Sequence, residues 1–300
     1  MKVLISGSSG LVGSAAVTQL TAAGHYVNRL VRSNPVRERG DLVWDPVTGR
    51  TERSKLEGFD AVVHLGGASL MTPWTASAKQ RLVMSRVQST SFLAEALAGL
   101  NEKPKVFVSA SAIGFYGDRG EEWLSESSKP GHGFLAELCE DWEKATGIAR
   151  TAGIRVVHIR LGIVLSDRGG ALKAMLPVFQ TGLGGPIGMG RQYMSWIAID
   201  DVAMALQHVL VTDTLEGPVN FTAPHPVTNR EFTKSLGRVL GRPAVLPVPS
   251  PVLRLLPGGM GRDMFLASSR VEPTKLRLSG YRFEYPDLEP ALRHTLGKDS

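Results

Sequence analysis

The sequence predicts an α/β protein, a Rossmann-type doubly wound parallel sheet with a second, smaller C-terminal lobe. Three observations carry this. Short apolar runs of β type alternate with helical stretches through the first 165 residues. A glycine-rich turn, Gly7-Ser8-Ser9-Gly10-Leu11-Val12-Gly13, joins the first run to the first helix. The texture then changes after Leu165, where glycines cluster, and after Pro224, where prolines are frequent and helices short.

The elements follow in order. Strands are expected at Lys2–Ser6, His25–Val31, Asp60–Leu65, Lys105–Ala110 and Arg155–Leu161, with Val219–Thr222 returning later. Between them lie helical patterns at Ser14–Ala23, Ala76–Leu97 and Phe134–Thr151, and a fourth at Val202–Leu210. The organisation that results is a cofactor-binding domain over 1–165, rejoined by 196–222, and a substrate lobe made of 166–195 and 223–300.

Composition excludes several classes. Hydrophobic residues are 43% and charged residues 21%, as in globular chains and unlike disordered or fibrous ones. No window approaches the roughly 18 uncharged apolar residues of a membrane helix, and MKVLISGSSG lacks the apolar core and cleavage site of a signal peptide. A cytoplasmic protein is expected, with neither membrane nor nucleic acid as partner. The single Cys139 excludes an intrachain disulfide and a Cys-rich zinc site, and no metal is expected. The formal charge of +6 is unevenly placed: residues 1–150 carry 17 Lys/Arg against 16 Asp/Glu, residues 230–300 carry 12 against 7. The C-terminal arginines are dispersed among prolines and leucines, which fits a solvated face or an anionic-ligand pocket better than a nucleic-acid patch.

The glycine turn has a physical role. Its first glycine permits the tight turn, its second lets backbone N–H groups approach a pyrophosphate, and its third lets helix and strand pack closely. The helix N-terminus adds positive potential. Gly7, Ser9, Gly10, Leu11, Val12 and Gly13 are therefore candidate cofactor residues. The second strand ends Leu30-Val31-Arg32-Ser33, without the acid that would hold an NAD ribose 2′-hydroxyl. Arg32 instead offers a planar fork for a 2′-phosphate, so NADP(H) is the expected cofactor.

The G-x-x-G-x-x-G spacing resembles the short-chain dehydrogenase/reductase superfamily, in particular its extended branch of nucleotide-sugar epimerases and dehydratases. Further matches keep the same chain order: Asp60 to Ala68 (DAVVHLGGA), Ser109-Ala110-Ser111 with Tyr116-Gly117, and Trp196 to Asp201 (WIAIDD). Ser85-Arg86, Phe134 to Leu138, Asp141-Trp142-Glu143, Leu161 to Leu165, Gly182 to Gly188 and Arg242-Pro243 resemble the narrower group called epimerase family protein, which carries an added C-terminal domain. The resemblance implies cofactor contacts at Leu65, Gly66, Gly67, Arg86, Ser109 and Leu161, a substrate contact at Arg191, and a homodimer through the long helices near 76–97 and 134–151. His64 reads as a packed strand residue.

One departure matters. The superfamily's chemistry rests on a serine and a Tyr-x-x-x-Lys pair whose lysine lowers the tyrosine pKa. Here Phe134 stands at the tyrosine position and Leu138 at the lysine position. Ser111 keeps the serine place, Tyr116 is the nearest phenol and the substitute acid, and Phe134 presents an apolar wall to the nicotinamide and is a candidate substrate contact. Glu126 is a candidate for orienting a loop. Two readings stay open: an NADP(H)-dependent epimerase/dehydratase-like oxidoreductase acting on an unidentified small substrate, and a catalytically quiet NADP(H)-binding sensor or scaffold. A nucleic-acid or membrane binder using residues 230–300 is a third.

Overall fold

The computed structural model describes residues 1–298 except Arg37 and Arg39. In chain order the strand and helix assignments begin β1 (Lys2–Ser6), α1 (Leu11–Ala22), β2 (Tyr26–Val31), β3 (Leu42–Val43), β4 (Ala61–His64), α2 (Ala76–Val83), α3 (Ser89–Ala98) and β5 (Val106–Ala112). They continue with β6 (Trp123–Leu124), α4 (Phe134–Lys144), α5 (Gly147–Thr151), β7 (Arg155–Leu161), β8 (Ile163–Leu165), α6 (Gly170–Gln180), β9 (Tyr193–Met194), β10 (Trp196–Ala198), α7 (Ile199–Val211) and β11 (Gly217–Phe221). The last are β12 (Val227–Thr228), α8 (Asn229–Leu240), α9 (Ser250–Arg254), β13 (Arg270–Val271), α10 (Thr274–Leu278) and α11 (Leu288–Thr295).

Seven strands form one sheet in the order β11-β7-β5-β4-β1-β2-β3. Every pairing in it is parallel. The chain winds outward from β1 in both directions, so the switch point lies between β1 and β4, where an open α/β sheet leaves a crevice beyond its strand ends. Alternation explains the two covered faces. Val3, Ile5, Val63, Val108 and Ile159 pack under α1 and α7, against Ala16, Leu20, Val202 and Leu206. Leu4, Val62, Phe107 and Val156 pack under α3 and α5, against Leu93, Leu97 and Ala149.

The smaller lobe has its own core. Leu172 and Phe179 of α6, Phe232 and Leu236 of α8, and Ala291 and Leu292 of α11 bury one another with Trp196 and Leu165. Thr228 caps α8 with a reciprocal Thr228–Glu231 box, and Gly241 ends it in the left-handed region. Asp201 ties the lobe back to α7: its carboxylate accepts from the Tyr281 hydroxyl and from the backbone N–H of Glu284 and Tyr285.

Two expected helices prove divided. The helix expected over Ala76–Leu97 is interrupted by a π-type turn at Met84–Gln88. The one expected over Phe134–Thr151 breaks between α4 and α5 at Ala145-Thr146, where the Thr146 hydroxyl bonds the Glu143 carbonyl. β3 was not expected, since it is two residues long and its Val43 is exposed.

Candidate cofactor and substrate site

The site begins at the end of β1. Gly7 sits at φ +71°, and a Cβ there would lie 2.6 Å from the Leu65 carbonyl carbon. A Cβ on Gly13 would lie 2.1 Å from the Gly7 oxygen. Both positions therefore require glycine, to let β1, α1 and the end of β4 close on one another. Gly10 is the N-cap of α1, supplies no side-chain cap, and has no acid in the first turn behind it. The first N–H groups of α1 thus keep their hydrogen-bonding capacity and positive potential for an anion. Ser9 and Gly10 are exposed, and Leu11 and Val12 half-buried.

Leu65, Gly66 and Gly67 leave β4 beside this turn, with the Leu65 N–H donating to the Ser6 carbonyl. Here the structure supplies a group of unusual character. Arg86, inside the π-type turn, is only 8% exposed. Its Nη2 donates to the Ala68 carbonyl at 2.9 Å, its Nη1 reaches Ser85 Oγ at 3.4 Å, and its guanidinium lies 5.3 Å above the Trp142 ring. Ser85 Oγ accepts from the Ala68 N–H. A Cβ on Gly67 would stand 3.2 Å from the Arg86 guanidinium carbon. The guanidinium meets no carboxylate among the described residues, and burial lowers its pKa. A buried cation without an anion is costly, and a π-type turn is a device that re-aims side chains at functional sites. Arg32 follows β2 directly and is exposed.

On β5, Ser109 and Ser111 lie on the face that also carries His158 and Arg160 of β7 and Asn220 of β11, by strand register. Ser111 Oγ donates to Glu143 Oε1 at 2.7 Å. Arg160 grips the same carboxylate with two hydrogen bonds of 2.8 Å. Its Nη1 donates to the Tyr116 hydroxyl at 2.9 Å, and that hydroxyl donates to Asn220 Oδ1 at 2.7 Å. Glu126 accepts from the backbone N–H of Asn220 and Lys275, extending the network to α10.

This placement corrects the expectation for Tyr116. The ring is fully buried, the hydroxyl is engaged by Arg160 and Asn220, and burial pushes its pKa up to about 12. The structure places this phenol inside a buried hydrogen-bond network that joins it to β7 and β11. Ser111 stays at the end of β5, but its proton is directed to Glu143. His64 is a core residue as expected: its ring contacts Ser6 and Ser89 and meets Trp44 edge-on. Burial drives the Cys139 thiol up to about 12, so it is an unreactive helix residue.

At the position of the missing pair, Phe134 packs edge-to-face on Trp74 at 5.2 Å, with the Lys79 ammonium 4.6 Å from its ring. Leu138 is buried in the same apolar cluster with Leu82 and Met260. Leu161 closes β7 half-buried. Arg191 is exposed, and only its loop is tied down, through Gln192 Nε2 donating to the Phe265 carbonyl.

The structure therefore gathers the glycine turn, Leu65 to Gly67, Arg86 and Ser111 around the ends of β1, β4 and β5, buries Ser109 fully in the middle of β5 opposite His64, and leaves Tyr116 and Arg191 outside that group. Trp74, Glu143 and Arg160 were not anticipated as parts of the site's frame. Alternation along β7 (Arg155 to Leu161) placed His158 and Arg160 on one face, but nothing local identified Glu143 as their partner.

No helix of the described residues is long and apolar enough to cross a membrane. The profile of the NAD dependent epimerase/dehydratase family matches residues 3–221, and a domain of unknown function, DUF1731, matches residues 248–295. The chain is 42% identical over 291 residues to an epimerase family protein of Mycobacterium bovis, covering 97% of this chain and 96% of the relative. It superimposes on the crystal structure of the human epimerase family protein SDR39U1 (isoform 2) with NADPH at a TM-score of 0.91, with 32% identity and 99% of each chain covered. At 23% identity and a TM-score of 0.77, covering 99% of this chain and 98% of the other, the Thermus thermophilus UDP-glucose 4-epimerase in complex with NAD shares the fold.

Proposed function

The chain belongs to the NAD dependent epimerase/dehydratase family, and from that premise we propose that it binds NADP(H) and acts as an oxidoreductase on a small substrate without the usual Tyr-x-x-x-Lys pair. One observation carries the reading: Arg86, a buried guanidinium that meets no carboxylate among the described residues, stands against Gly67 and Ala68, on the segment leaving β4 whose Leu65 and Gly66 meet Gly7 of the glycine turn. This donor set fits a dinucleotide. Gly7 to Gly13 and the first turn of α1 take the pyrophosphate, and Arg86 neutralises phosphate charge from the β4 side. Leu65, Gly66 and Gly67 border the adenosine half, and Arg32 takes the 2′-phosphate. The NADPH bound by the human relative supports the same cofactor here. When bound, NADP(H) supplies hydride exchange at its nicotinamide.

The chain's own residues do the rest. Ser109 and Leu161 shape the nicotinamide end. Ser111 gives its proton to Glu143, so it polarises a substrate carbonyl only by turning that proton from Glu143 to the carbonyl. Phe134 closes the pocket with an apolar wall, and Arg191 faces the substrate's anionic part. In this reading residues 1–165 with 196–222 hold the cofactor, and 166–195 with 223–300 form the substrate lobe.

The second reading, a catalytically quiet NADP(H) sensor or scaffold, is favoured by the packing of Phe134 and Leu138 and by the sequestered Tyr116 hydroxyl. Titration with NADPH and NADH tests the cofactor. NADPH is expected to bind at least about tenfold more tightly, and Arg32→Ala to lose mainly that preference. Equal or tighter NADH binding would overturn it. Absorbance at 340 nm across carbonyl and hydroxyl substrates then separates the two readings: turnover supports the first, and its absence with tight NADPH binding supports the second.

A further inference from the structure

The hydroxyls at the reacting end of the proposed cleft have their protons directed into the protein. Ser111 Oγ donates to Glu143, and the Tyr116 hydroxyl donates to Asn220. Phe134 and Leu138, at the superfamily's tyrosine and lysine positions, carry no exchangeable side-chain proton. An ammonium nevertheless comes to this place, from a different element.

Lys79 is the fourth residue of α2, whose start is fixed by Thr75 Oγ1 accepting from the Ala78 N–H. Its Nζ lies 4.6 Å from the centre of the Phe134 ring and 5.9 Å from that of Trp74, both within reach of cation–π attraction. Trp74 is itself held in place. Its Nε1 donates to the Leu70 carbonyl at 3.1 Å, and a Cβ on Gly258, at φ +68°, would lie 2.0 Å from the Trp74 oxygen. The apolar cluster that contains Phe134 and Trp74 also contains Ala68, whose carbonyl receives Arg86, so it adjoins the segment leaving β4.

No described carboxylate or hydrogen-bond acceptor engages Lys79 Nζ. Lys79 is half-buried, and the buried polar atoms that lack a partner among the described residues do not include its Nζ, which is therefore open to a ligand. Aromatic faces attract the charge and leave the three N–H donors available. An ammonium and a phenol are acids of similar strength in water. An ammonium beside Phe134 is thus suited to the task of the missing tyrosine, donating to an oxygen as negative charge develops on it.

We propose that Lys79 is a catalytic residue of this site, the proton donor to the carbonyl oxygen of a small ketone or aldehyde. The carbonyl carbon accepts a hydride from NADPH while the oxygen takes a proton from Lys79 Nζ. The C=O π bond breaks, a C–H and an O–H bond form, and the products are an alcohol, NADP+ and a neutral amine that recovers a proton from water. The proposal rests on the reading of the cleft as the NADP(H) site with its nicotinamide end at Phe134.

Sulfite is the probe. It adds through sulfur to the nicotinamide C4 of NADP+ and leaves an anion beside that carbon, where the carbonyl oxygen would gather its charge. The full chain is loaded with NADP+ and titrated with sulfite, the adduct being read by its near-ultraviolet absorbance, with NADPH fluorescence and melting temperature as controls. The wild type is expected to form the adduct at about tenfold or more lower sulfite than free NADP+ needs. Lys79→Met should require at least about tenfold more sulfite than wild type, the loss of one hydrogen bond between charged groups, with NADPH affinity within about threefold. Lys79→Gln serves if the methionine variant fails to fold, and should require at least about fivefold more. Wild type holding sulfite no better than free NADP+ does, or either folded variant within twofold of wild type, overturns the role of Lys79 and leaves the cofactor reading standing. A missing NADPH fluorescence response is the separate signature that overturns the cofactor reading, and the proposal with it.

Discussion

Replacing Arg86 by methionine separates a ligand-facing cation from a structural one. Arginine carries five N–H donors, and here the firm protein contact is the 2.9 Å bond to the Ala68 carbonyl. Donors remain for a phosphate. Hydrogen bonds to charged groups contribute about 1.5–3 kcal/mol each, so losing one or two weakens NADPH by about 1.5–6 kcal/mol, or at least roughly tenfold in Kd. The apo protein should hardly notice. No acid is left unpaired and methionine fills the same channel, so its unfolding free energy should move by less than about 1.5 kcal/mol. Arg160→Met is the control. It strands the buried Glu143 carboxylate and should cost about 3–5 kcal/mol. NADPH affinity by fluorescence titration and stability by urea unfolding give the two readouts. Arg86→Met binding NADPH within twofold of wild type, or destabilised as severely as Arg160→Met, would refute the reasoning.

Other outcomes follow from the same geometry. Tyr116→Phe removes a hydroxyl shared by Arg160 and Asn220 and should cost about 1–3 kcal/mol in urea unfolding while leaving NADPH affinity unchanged. Leu138→Lys, which restores the superfamily's lysine, buries an ammonium among Trp74, Leu82 and Met260 and should lower the melting temperature sharply rather than create activity. His64 and His158 are held down at about 4 by burial. The unfolded chain therefore takes up protons that the folded chain refuses between pH about 6.5 and about 4. Each histidine should remove about 3 kcal/mol of stability as pH falls through that window, and His64→Asn should flatten the urea midpoint's dependence on pH there. Val83 and Met84 are exposed beside a groove between α2–α3 and α4. Met84→Glu should therefore shift the proposed homodimer toward monomer in sedimentation.

The sheet was legible because its strands are continuous apolar runs bounded by turn residues, as buried parallel strands must be. The glycine turn was legible because only glycine tolerates the approaches at Gly7 and Gly13. What escaped depended on distant partners. The turn at Met84–Gln88 is made of ordinary helix formers, and its shape accompanies the tie of Ser85 and Arg86 to Ala68. Alternation put Arg160 on a face but did not say that Glu143, on a helix, would meet it. Tyr116 is close to Ser111 in sequence, yet the chain turns between them and carries the phenol under β11.

The most direct measurement of the central claim is a crystal structure of the chain with NADP+. The account predicts the pyrophosphate on Gly10 to Gly13 with Arg86 in hydrogen-bond contact. It also predicts the 2′-phosphate about 2.7–3.2 Å from the Arg32 guanidinium, and Ser111 and Phe134 facing the nicotinamide. A dinucleotide that leaves Arg86 uncontacted, or turns its 2′-phosphate away from Arg32, would contradict it.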